Sequence, residues 1–90
     1  MSQRIVVAAA EAACPTSTGT ASTFGSATCV RLVNTTSTAR LVTVVEEASG
    51  TVLGSFTLLG NTVEFLQKRS AHAVFAAHAS VLGTSVGFTN

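Results

Sequence analysis

The stretch Arg40-Leu41-Val42-Thr43-Val44-Val45-Glu46, broken at Ala48-Ser49-Gly50 and resumed as Thr51-Val52-Leu53-Gly54-Ser55-Phe56-Thr57-Leu58, decides the fold. Both runs are rich in β-branched residues, too short for a free-standing helix, and separated by the small residues that close a chain reversal. They read as two antiparallel strands. The first is apolar on both faces, with Leu41 and Val45 on one and Val42 and Val44 on the other. Such a strand is either central and covered twice, or covered on its second face by another chain.

The same rhythm continues on either side. Thr28 to Val33 ends in Asn34-Thr35-Thr36-Ser37-Thr38, a Gly60-Asn61 turn leads into Thr62 to Lys68, and Ser80 to Thr89 closes the chain. Short runs with a turn signal after each are the pattern of an all-β sandwich. Alternation places Leu82, Val86 and Phe88 on one side of the last run, and Val52, Phe56 and Leu58 on one side of the fourth; both sets are expected inside. Ala71 to Ala79 has helix-forming composition but little length, and a strand over His72 to Ala76, with Ala73 and Phe75 on one face, fits a sandwich better. The expectation is an all-β, small antiparallel sandwich of about seven strands.

The N-terminal quarter differs in texture. Arg4 to Ala9 reads as a strand, its apolar run being too short for the hydrophobic region of a signal peptide. Pro15 to Ser26 is a long Ser/Thr/Gly loop with one isolated aromatic, Phe24. We therefore expect two parts: residues 1–26 as a strand and loop, or assembly arm, and residues 27–90 as the sandwich domain. Phe24, Val42 and Val44 are the candidate assembly contacts, and deleting residues 1–26 is expected to spare the fold.

Chemistry is sparse. The 90 residues hold five Lys and Arg, four Glu and no Asp, Tyr or Trp, for a net charge of +1. That is no field for steering toward nucleic acid or anionic membrane, and no apolar run reaches the length of a membrane helix. His72 and His78 lack the spacing of a shared metal site on a helix, and Glu46 and Glu47, being adjacent, point to opposite faces of a strand. With no export signal, Cys14 and Cys29 are expected as free thiols, and neither has the partners of a zinc site. Lys68-Arg69 reads as a charged strand end that discourages edge pairing. Asn34-Thr35-Thr36 is a glycosylation sequon only in a secreted chain. Neither an enzyme nor a cofactor is indicated.

Val30-Arg31-Leu32-Val33-Asn34, Leu41-Val42-Thr43-Val44, Gly60 to Lys68 and the closing Val81 to Phe88 together resemble the small immunoglobulin-like β-sandwich structural proteins of tailed bacteriophages. The resemblance implies a virion component, acting in capsid decoration, at the neck or as a tail accessory. Its partners would be copies of itself and other virion proteins, with no small-molecule substrate, nucleic acid or membrane. It implies residence in the virion after synthesis in the host cytoplasm. The alternative is an exported adhesive or pilus-like β-module. A weakly charged, Ser/Thr-rich surface suits a subunit buried by its neighbours in either case.

Overall fold

Alternating β-branched residues and frequent turns produce eight strands in the computed structural model, which describes residues 4–89. They are β1 (Arg4–Val7), β2 (Ala12–Ala13), β3 (Cys29–Asn34), β4 (Arg40–Glu46), β5 (Val52–Leu58), β6 (Val63–Gln67), β7 (His72–Ala76) and β8 (Val81–Thr89), with a single 3-10 turn at Thr18–Thr20. The segment at His72 to Ala76 is a strand, as its place in a sandwich leads one to expect.

Two antiparallel sheets form. One runs β1-β8-β3-β6, with β2 continuing β1 along the same edge of β8; the other runs β5-β4-β7. Outside β7, Ser22 forms a bridge to Val74. Counting β1 and β2 as one edge and Ser22 as a vestigial strand, the chain pairs first segment with eighth, second with seventh, third with sixth and fourth with fifth. Arg4 faces Thr89, Ser22 faces Val74, Leu32 faces Glu64 and Arg40 faces Leu58, so these pairs are centred on about residue 48. The molecule is thus one long hairpin, bent at the β4–β5 turn and rolled until β3 meets β8 and β4 meets β7.

That is the strand order of a jelly roll, two Greek keys wound from one ribbon. The antiparallel all-β sandwich is as the sequence reading has it. Its pairing order differs from the immunoglobulin one, in which the first, second, fifth and fourth strands share one sheet.

The core lies between the sheets. Val30 and Leu32 of β3, Val42 of β4, Leu58 of β5, Val74 and Ala76 of β7, Val81 and Cys14 are all buried there. Register assigns the faces. Leu32 pairs with Gly83 and Val33 with Leu82, so Val81 and Gly83 look inward, whereas Leu82, Thr84 and Val86 lie on the outer face. Of the expected inward set, Leu82 and Val86 therefore share the outer face of β8, where Val86 is nonetheless buried and Leu82 half-buried; the Phe88 side chain lies outside the described residues. The reason is that the inward position at 83 is a socket, filled from elsewhere. Of the second set, Leu58 is buried and Phe56 packs on the core, but Val52 stands 60% exposed beyond a bulge at Val44/Val45.

Candidate assembly surface

Phe24 packs against the chain's own core. A Cβ placed on Gly83 would lie 2.7 Å from Phe24 Cζ, which shows that the ring stands on the bare backbone of β8. To get there the chain makes a left-handed turn, with Phe24, Gly25 and Ser26 at φ 53, 71 and 59. A run of this hand costs about 1–2 kcal/mol for each non-glycine residue. It is closed by Ala27 N donating to Thr23 O at 3.1 Å, and stitched by Ser22 Oγ and Thr23 Oγ1, which accept from Phe24 N and Ser26 N.

Lys68 supplies the outer clasp. Its ammonium donates to Thr23 O at 3.0 Å, to Ala27 O at 2.6 Å and to Arg69 O at 3.5 Å, and the residue is only 8% exposed. Burial pushes this ammonium below its usual value, with Glu47 pulling the other way. The expected solvated charge at a strand end is corrected here: Lys68 is a buried tie between β6 and the 23–27 turn, and Arg69 alone is exposed. Only the carbonyl geometry reveals this; the sequence shows a plain basic doublet.

Val42 and Val44 share the face that looks into the core, Val42 with no exposure and Val44 packed on the cluster. Neither presents a second apolar face to a partner. The rest of the N-terminal quarter lies on the same body. Cys14 N donates to Val81 O, Pro15 O accepts from Ala76 N, and Ser22 exchanges both backbone bonds with Val74. Residues 4–26 thus complete the sandwich of the following chain.

The apolar surface that does reach solvent lies elsewhere. On the outer face of the larger sheet, apolar residues lie in two groups, Ile5 and Val7 at the β1 end and Leu82 of β8, Val33 of β3, and Val63 and Phe65 of β6 at the other, with Arg31 and buried Thr84 between them. Val7 is 58% exposed and Phe65 45%. The Glu11–Arg31 ion pair, at 2.9 Å, sits among them. Alternation puts Leu82 on one side of β8 without saying which side the sheet buries, so the sequence does not reveal this face.

Asn34 is wholly buried. Its Nδ2 donates to Thr38 O at 2.7 Å and Leu58 O at 3.1 Å, while Oδ1 accepts from Thr36 N and Thr36 Oγ1. The sequon is thus a structural knot. Cys14 points into the core and is pushed up to about 11 by burial, whereas Cys29 shares the outer face of β3 with Arg31 and is raised by burial to a lesser degree. Both are free, and the two faces of a sheet separate them. His78 Nδ1 accepts from Ser80 N, holding the turn before β8.

Among the described residues there is no pocket, and no cluster of His, Cys or Glu is placed to hold a metal. No helix is long and apolar enough to cross a membrane. Comparison with protein-family models, with curated proteins and with solved structures returns no match to this chain.

Proposed function

We infer that this chain is a structural component of a virion, of the kind that decorates a capsid, neck or tail of a phage, and that it works by protein–protein assembly. The observation that carries the reading is the apolar outer face of the larger sheet, from Ile5 and Val7 to Val63 and Phe65, on a chain with only five Lys and Arg and four Glu. Exposed apolar patches mark interaction sites, and so little charge ill suits a freely diffusing monomer. The jelly-roll order supports it by fold-level analogy, since capsid domains use this architecture. The alternative of an exported adhesive module shares the fold-level analogy, since lectin domains are jelly rolls too, but Cys14 and Cys29 lie on opposite faces and the sequon asparagine is buried.

The test is fractionation of phage particles from the culture that encodes the chain. Peptides of this protein should band with intact particles in a density gradient, in a fixed ratio to the major capsid protein. Recovery only in the soluble fraction overturns the reading.

A further inference from the structure

Register shows an excursion on the edge of the larger sheet. Ala8 N donates to Ser85 O, and Ala12 pairs with Gly83, so the single residue Thr84 stands opposite three: Ala9, Ala10 and Glu11. A regular antiparallel ladder matches one residue with one, and the two extra residues have to leave the edge. They fold over the outer face. Thr84 lies on that face, and its hydroxyl donates to Ala9 O at 2.6 Å. Glu11 reaches past β8 to the next strand, where its Oε2 accepts from Arg31 Nη1 at 2.9 Å. Arg31 and Thr84 are register partners, so both fastenings meet at one spot.

That spot lies between the two apolar groups of the face. Toward one end stand Val7 and Val86, toward the other Leu82, Val33 and Val63. Thr84 is only 4% exposed although it points away from the smaller sheet, whereas Ala9, Ala10 and Glu11 are all exposed. The excursion thus covers Thr84 while burying little of itself. It is fastened by one neutral hydrogen bond and by one ion pair whose side chains are 31% and 36% exposed. So wet an ion pair is weak and screened by salt, and a single hydroxyl bond favours the closed position by no more than about tenfold. Three residues held in this way can lift while Ala8 and Ala12 keep their pairing to β8.

We propose that residues 9–11 are an autoinhibitory latch on the assembly face, closed over Thr84 and Arg31 in the free chain and lifted when a neighbouring subunit docks. The proposal rests on the assembly reading and adds the regulation of that surface. Closed, the latch keeps the two apolar groups apart and occupies Arg31, so the free chain does not present one large patch that invites premature association. Lifted, it leaves the Thr84 methyl and the aliphatic stem of Arg31 as a bridge between Val86 and Leu82. The two groups then join into one strip across β1, β8, β3 and β6. The released guanidinium gives that strip a single positive charge at its middle. It therefore fits a partner surface that is apolar and brings one carboxylate, which takes the place of Glu11 on Arg31.

The test uses the full chain and opens the latch in three ways. Glu11→Gln removes the ion pair, Thr84→Val keeps the side-chain shape but not the donor, and deletion of Ala9 and Ala10 restores one-to-one pairing opposite Thr84. Each substitution should raise the fluorescence of the apolar dye ANS by about two- to fivefold, and the deletion by more, with thermal unfolding still cooperative. The exchanged pair, Glu11→Arg with Arg31→Glu, should return the signal to the parent level, which a merely structural role for either residue does not predict. Dye binding unchanged in all three variants overturns the proposal. So does a rise that the exchanged pair fails to reverse, or one seen only where the cooperative transition is lost. Sedimentation and particle fractionation separate this result from the assembly reading. Variants that take up dye yet neither self-associate nor enter particles leave the latch standing and sink the role of this face in assembly; a parent chain found in particles, with dye binding unmoved by any variant, does the reverse.

Discussion

Asn34 links three parts of the chain with one amide: its own strand, the loop to Thr38 and the end of β5 at Leu58. Asn34→Ala removes the donor to the buried Leu58 carbonyl and to the part-buried Thr38 carbonyl, so we expect a loss of about 1–3 kcal/mol in denaturant unfolding. Gly60 makes a similar demand sterically. A Cβ there would lie 2.5 Å from the Ser37 carbonyl carbon and oxygen, whereas at Gly87 it would meet nothing within 4 Å. Gly60→Ala should lower the thermal midpoint by several degrees, and Gly87→Ala should leave it within about a degree. Equal shifts would show that the 36–38 loop yields.

Cys14 gives stability a pH dependence of known sign. Its thiol ionises at about 11 in the fold against a usual 9.0, because burial disfavours the thiolate. Between those values the unfolded chain holds fewer protons than the folded one, so stability falls as pH rises through that window. Cys14→Ala should flatten the decline of the unfolding midpoint from pH 9 to 11, though it lowers stability at neutral pH through the lost volume. Lys68 acts in the opposite sense: its depressed ammonium makes folding easier as pH climbs toward 10.5, and a Lys68→Met comparison removes that rise.

At the scale of elements, the Pro15–Ser26 segment is the instructive case. It reads as a polar loop that could be exchanged between subunits, yet it caps β7 through Pro15 and Ser22 and lends Phe24 to the core. Deletion of residues 1–26 should therefore abolish the cooperative unfolding transition, reversing the expectation from composition. A truncated chain that still melts cooperatively would return this segment to the role of an arm. Strand positions were legible because period-two runs and turn residues are local signals; β4 and β5 were evident from Val42, Val44 and Gly50 alone. Long-range events were not. The face of β8 depends on whether Gly83 is a gap or a socket, and that is settled by a ring from residue 24. Lys68 looks like any surface lysine until the carbonyls of Thr23 and Ala27 surround it.

On the scale of the whole molecule, pairing Arg4 with Thr89 means that closing the ribbon spans nearly the full chain. Non-local pairing of this kind slows folding to the range of about milliseconds to seconds for a domain of this class. Stopped-flow refolding should fall in that range, and a phase completed in microseconds would contradict the topology. Gly50, at φ 72 in the turn on which the ribbon is centred, is the position where Gly50→Ala should slow refolding.

The centring of every ribbon pair near residue 48 has a practical corollary. Before the turn at residues 47–51 lie β1, β2, Ser22, β3 and β4; after it lie β5, β6, β7 and β8. Among the described residues each strand pairing joins one group to the other, and none lies within either group. A chain severed in that turn yields two fragments that interleave like the fingers of two hands, each without a sheet of its own. The halves make a natural complementation pair, silent apart and structured only when they meet.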